Sequence, residues 1–123
     1  MSAPVFVTFR HMAARAELEE YAREQVAHLA RLQHGIVDCR VVLEPTEVGV
    51  LRVTVELSLP GKRLVAAHES EPEGDTDPDA EVRRIPEYRW LHALHEAFVT
   101  AERLLHEYAG RRHAAHGRAR RTA

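Results

Sequence analysis

The sequence predicts an α+β fold, a four-stranded sheet with two helices packed on one face, for a chain of 123 residues. Three features point to it. Four short runs of β-branched and aromatic residues read as strands, and two longer segments repeat their apolar residues at helical spacing. These segments follow one another in the order β-α-β-β-β-α. Two amphipathic helices need an apolar surface to cover, and one face of a sheet supplies it. The length is that of one domain.

Pro4–Val5–Phe6–Val7–Thr8–Phe9 is the first strand. From Arg15 the period changes, and Leu18, Ala22, Val26, Leu29 and Leu32/Gln33 recur at helical spacing. Glu17, Glu19, Glu20 and Glu24 crowd the first turns of that helix, where the helix dipole favours acids. Gly35 is its expected stop. Residues 36–43, from Ile36 to Leu43, read as the second strand, ended by Glu44–Pro45. Residues 50–57 alternate, with Leu51, Val53, Val55 and Leu57 directed to the core and Arg52, Thr54 and Glu56 to the other side. Pro60–Gly61 signals a tight turn, and residues 63–68 form a fourth strand hairpinned to the third.

Glu69 to Pro86 holds Pro72, Pro78, Pro86 and Gly74 among many acids, and reads as an exposed loop of a length uncommon in a small domain. The clearest helical stripe follows, through Leu91, Leu94, Ala97/Phe98, Ala101, Leu104/Leu105 and Tyr108, with Gly110 as its expected end. Tyr88, Trp90 and Tyr108 are spaced as core and capping aromatics, not as a base-stacking platform. The chain thus divides into a domain over 1–110, with an acidic loop at about 69–87, and a flexible arginine-rich tail over 111–123.

The formal charge of −2 hides an uneven distribution. Residues 1–68 and 82–108 each balance their acids and bases. Residues 69–81 hold seven acids and no base, whereas residues 109–123 hold five arginines and no acid. With 45% hydrophobic residues the chain can build a core, which excludes global disorder. No apolar run approaches the roughly 20 residues that span a bilayer, and the N-terminus lacks a signal-peptide pattern. The single cysteine, Cys39, allows no internal disulfide, fits a reducing compartment, and reads as a small core residue because it lies in the largely apolar run from Ile36 to Leu43.

Several groups carry chemistry that can be weighed. Arg111, Arg112, Arg118, Arg120 and Arg121 suit an arm that neutralises phosphates, against the alternatives of a solvated terminus or of docking onto the acidic loop. The loop acids Glu71, Glu73, Asp75, Asp77 and Asp79 suit protein contact or mimicry of nucleic acid. Asp75–Thr76–Asp77–Pro78–Asp79 opens like a calcium loop, but the required glycine is Ala80 and the required closing glutamate is Pro86. His92, His95 and Glu96 lack the zincin order, in which the glutamate stands between the histidines. Surface histidines are expected instead, able to make phosphate affinity pH-dependent. No metal, cofactor or small-molecule substrate is expected. No phosphate-cradling glycine loop or nucleophile–base set supports catalysis, so the chain is expected not to be an enzyme.

Phe9–Arg10–His11–Met12, Leu18–Glu19–Glu20–Tyr21 and Val41–Val42–Leu43–Glu44 look like stretches of a known family. So do Leu59–Pro60–Gly61–Lys62, Ala66–Ala67–His68–Glu69–Ser70, Ala93–Leu94–His95–Glu96–Ala97–Phe98 and Glu102–Arg103–Leu104–Leu105. Over residues 3–112 the chain resembles the ribosome hibernation-promoting factors and ribosome-associated inhibitors, also called sigma-54 modulation proteins, in a divergent short form without a second domain. The resemblance implies a non-enzymatic, cytoplasmic, stress-responsive protein that binds the small ribosomal subunit, its helix-borne basic residues meeting rRNA phosphates.

Positions where the family commonly carries lysine hold Gln25 and His28 on the first helix. On the last helix an acid-plus-lysine pair is replaced by Val99–Thr100 and another basic position by Glu107, while Arg103 matches. The expected rRNA contacts are therefore Arg103, Arg111, Arg112, Arg118, Arg120 and Arg121, helped by His28 and Arg31. The alternative is a family member that has left the ribosome and contacts proteins through its acidic loop.

Overall fold

The computed structural model describes residues 3–33, 35–47, 50–70 and 86–121, with Glu47 and residues 111–121 described by their backbone alone. Its elements are β1 (Val5–Phe9), α1 (Ala16–Leu32), β2 (Asp38–Glu47), β3 (Val50–Leu59), β4 (Lys62–Ser70) and α2 (Glu87–Arg121). The expected order and the α+β class are those observed.

The sheet runs β1-β2-β3-β4. The β1 and β2 strands are parallel, with Val7 beside Val41, so α1 is the crossover that parallel pairing requires. The remaining pairs are antiparallel: Val41 lies beside Val55, and Val55 beside Ala66. Register therefore aligns the apolar set of each strand on one face. Cys39, Val41 and Leu43 of β2, Leu51, Val53, Val55, Leu57 and Leu59 of β3, and Ala66 of β4 are all buried there. Leu18, Ala22, Val26 and Leu29 of α1, with Trp90, Ala93, Leu94, Ala97, Phe98, Ala101 and Leu105 of α2, close the core from the other side. Each fully buried Leu or Val contributes about 1.5–3 kcal/mol by leaving water.

The opposite sheet face is open. It carries Phe6, Arg40, Glu56 and Val65 across the four strands in one row, and Phe6 and Val65 are about half exposed. Period-two alternation at β3 divides its residues between the two faces as expected, with Arg52, Thr54 and Glu56 away from the helices.

Four boundary differences bear on the architecture. The β2 strand does not stop at Glu44–Pro45 but continues to Glu47, with a register irregularity between Pro45 and Glu47. The last residue of β2 paired with β1 is Leu43, so Pro45 lies where β2 has a free edge and its missing N–H costs no ladder bond. The β4 strand extends to Ser70, which places Glu69 in the sheet opposite Arg52 rather than in the acidic loop. The α1 helix closes at Leu32 with Gln33 as its cap, and Gly35 (φ 99°) turns the chain beyond it.

The fourth difference is the largest. Gly110 does not end the last helix, which continues to Arg121. A helix-interior glycine costs only about 1 kcal/mol, and the alanines and arginines around it are strong helix formers. Of the three aromatics read as core and capping residues, Trp90 is buried and Tyr108 packs against the core, whereas Tyr88 is 63% exposed in the first turn of α2. The acidic-loop residues Glu71, Glu73, Asp75, Asp77 and Asp79 lie outside the described residues.

Candidate nucleic-acid interface

The solvent-facing side of the two helices is where the sequence places its contacts. The α1 helix carries Glu17, Glu19, Glu20 and Glu24 against Arg23 and Arg31, and α2 up to Gly110 carries Glu87, Glu96, Glu102 and Glu107 against Arg89 and Arg103. Acids therefore outnumber arginines in the helix layer over this range. The Glu19 carboxylate accepts from Arg23 Nη2 at 2.8 Å, one turn apart.

The helices meet polar groups across their seam. His28 Nε2 of α1 lies 3.6 Å from Glu102 Oε1 of α2, and His106 Nε2 approaches the same oxygen at 3.8 Å from the next turn. One carboxylate is thus flanked by two exposed imidazoles. Further along, Tyr21 Oη and His95 Nδ1 are 3.3 Å apart. Burial first, and the Glu24 charge second, push the Tyr21 pKa up, so its hydroxyl keeps its proton and can donate to His95.

Of the sequence-predicted contacts, His28, Arg31 and Arg103 are all exposed on this layer. Arg31 Nε donates to the Ala27 carbonyl at 3.4 Å, a long bond that leaves most of the guanidinium to solvent. Arg103 lies 4.0 Å from Glu107, at the limit of an ion pair between exposed groups. Structure brings His28 to Glu102, next to Arg103 in sequence. Arg111, Arg112, Arg118, Arg120 and Arg121 fall on the helical backbone of α2, but their side chains lie outside the described residues. A helix of 35 residues measures about 52 Å, against about 33 Å for a ten-residue strand, so α2 is longer than the sheet it covers.

Glu102 and His106 are missed by sequence reading, although their four-residue spacing places them on one helix face. The His28 contact bridges 74 residues and leaves no local signal. His92 meets a different neighbour from the one its spacing suggests: its ring packs edge-on to His68 of β4 at 6.4 Å. Among the described residues no group of three or more His, Cys, Asp or Glu could hold a metal ion, and no helix is long and apolar enough to cross a membrane. Cys39 is fully buried, and its thiol is pushed up to about 12 by burial first and by Asp38 and Glu56 second. As expected for a core residue, it is no nucleophile at neutral pH.

Two helices on one face of a four-stranded sheet, the first strand pair parallel and the helix layer solvent-facing, define a small α+β module. Residues 5–83 match the family model described as sigma 54 modulation protein / S30EA ribosomal protein, and this chain belongs to that family. The match spans β1 to β4 and stops before α2. Solved structures extend the likeness beyond the matched residues. A ribosomal subunit interface protein from Coxiella burnetii is similar with TM-score 0.61 and 16% identity, covering 86% of this chain and 97% of that one. The N-terminal domain of Protein Y from Thermus thermophilus is similar with TM-score 0.51 and 20% identity, covering 85% and 99%. A comparison with curated proteins finds no match.

Proposed function

We propose that this chain is a non-enzymatic translation modulator of the cytoplasm that binds rRNA of the small ribosomal subunit, in the manner of a hibernation factor. Family membership, together with a structural neighbour described as a ribosomal subunit interface protein, supports the ribosome as partner. The observation that carries the contact residues is the charge reversal along α2. Its first turns to Gly110 hold more acid than base, while the helical continuation to Arg121 holds five arginines and no acid. The rRNA contacts are therefore Arg111, Arg112, Arg118, Arg120 and Arg121 at the end of α2, helped by Arg103, Arg31 and His28. Phosphate neutralisation by arginine supplies most of such affinity and needs no catalytic group.

Co-sedimentation with purified small subunits tests this. Intact chain is expected in the pellet at low salt, and a chain ending at Tyr108 in the supernatant. Absence of the intact chain from the low-salt pellet overturns ribosome binding. Equal pelleting of the two chains overturns the role of the arginine segment. If instead deletion of residues 70–86 abolishes capture of a protein partner while ribosome pelleting stays at background, the chain is a protein-interaction module working through Glu71, Glu73, Asp75, Asp77 and Asp79.

A further inference from the structure

An exposed strand edge is a template for further pairing, and natural edges are blunted by proline, bulges, short length or charges in mid-strand. Among the described residues the outer edge of β4 has no proline, no bulge and no short length, and its charges stand only at its ends. It is nine residues long, its register with β3 is unbroken from Lys62 to Ser70, and its middle, Leu64–Val65–Ala66–Ala67–His68, holds no proline, Lys, Arg, Asp or Glu. By contrast its ends are charged in opposite senses, Lys62 and Arg63 at the start and Glu69 near the finish.

We propose that β4 pairs antiparallel with β4 of a second copy of this chain, joining two sheets into one of eight strands. Symmetry restricts the register. A two-fold axis that makes antiparallel neighbours stands perpendicular to the sheet, so both copies keep their helices on the same side and facing residues share a face. Facing numbers must then sum to an even value. Centring the axis on Ala66 pairs all nine residues, whereas moving it by one residue either way leaves the ends unpaired. The Ala66-centred register sets Arg63 opposite Glu69 of the partner subunit twice over.

Those same side chains are already part of a charge row on the open face. Glu69 Oε1 lies 3.9 Å from Arg52 Nε, and Arg63 Nε lies 2.8 Å from Glu56 Oε1. Pairing extends each short row across the axis so that charges alternate in sign from Arg52 through Glu69 to the second copy. The register also sets Val65, half exposed in the single chain, against Ala67 of the other copy and covers it. The small Ala66 at the axis faces its own equivalent, where two large side chains would collide. The five-residue β1 edge holds no charged residue and so lacks any such complement.

Sedimentation velocity of the full chain across micromolar to sub-millimolar concentration tests the pairing, with circular dichroism to verify folding of each variant. The wild-type chain is expected to approach twice its 14.0 kDa mass as concentration rises. R63E and E69R, each of which sets like charges opposite, are expected to weaken association at least tenfold, and the double variant R63E/E69R to restore it. Both positions are solvent-exposed, so the variants fold. A wild-type chain that stays monomeric throughout overturns the proposal. A dimer that ignores R63E, or one that the double variant does not rescue, overturns the β4 register. Neither result bears on ribosome co-sedimentation, which is read separately.

Discussion

Cys39 shows how burial governs a side chain's chemistry here. It sits under the helices with no exposure, and its thiol is raised from an ordinary 9.0 to about 12. In native protein at neutral pH it should resist a maleimide or disulfide reagent, and label fully once denaturant unfolds the chain; rapid native labelling would contradict the packing. The sign of its pH linkage follows. Below pH 9 the protonated thiol suits the buried site, and as pH climbs from 9 through 12 the unfolded thiol ionises while the folded one resists, so stability falls in that window. Volume matters as much as charge in this core. Leu57→Ala, at a position with no exposure in the central β3, is expected to cost about 2–5 kcal/mol in chemical denaturation, and Val37→Ala, half exposed, within about 0.5 kcal/mol.

The α2 helix carries both a large share of the core and the arginine segment proposed to meet rRNA. Its first six turns are held by the apolar stripe from Trp90 to Leu105, and Gly110 stands where that stripe has ended. A Cβ at Gly110 meets nothing within 4 Å, so Gly110→Ala should raise helicity and add up to about 1 kcal/mol, read by far-UV circular dichroism and thermal melting. Gly110→Pro should cost about 3 kcal/mol of helix and uncouple the arginines from the body, lowering ribosome pelleting while leaving the core's melting intact. Unchanged helicity in the proline variant would show that the helix ends before residue 110. At the start of α2, Arg89 is largely buried, and its Nη2 reaches the Ser70 carbonyl at 3.5 Å, tying the end of β4 to the helix on either side of the acidic segment.

Over the molecule as a whole, charge is segregated: a helix layer with more acid than arginine, and an arginine-rich helix end. Phosphate affinity drawn from that end is steeply salt-dependent. With five arginines on single-stranded or duplex rRNA, log K should fall with log salt by up to about 3.5–4.5. Truncation after Tyr108 should flatten that slope to the small share of Arg31 and Arg103, which a salt titration of pelleting measures directly. A slope undiminished in the truncated chain would place the contacts on α1 and the body of α2 alone.

The two apolar periods were enough to place α1, β3 and the β-α-β-β-β-α order, because a side chain's face follows from spacing alone once one face is buried. The family resemblance was likewise carried by short stretches from Phe9 to Leu105, and the arginine segment by composition. Other features depend on residues far apart in the chain. Pro45 stays inside β2 because β1 has already ended at Leu43, and Gly110 stays inside α2 because a glycine's small helical penalty is outweighed by its neighbours. His28 meets Glu102 only because α1 and α2 pack side by side, and β4 becomes an edge only because β1 pairs with β2 on the far side of the sheet. Local spacing encodes which face a residue takes; which faces and edges then meet is settled by burying the common core, an energy that belongs to all the elements together.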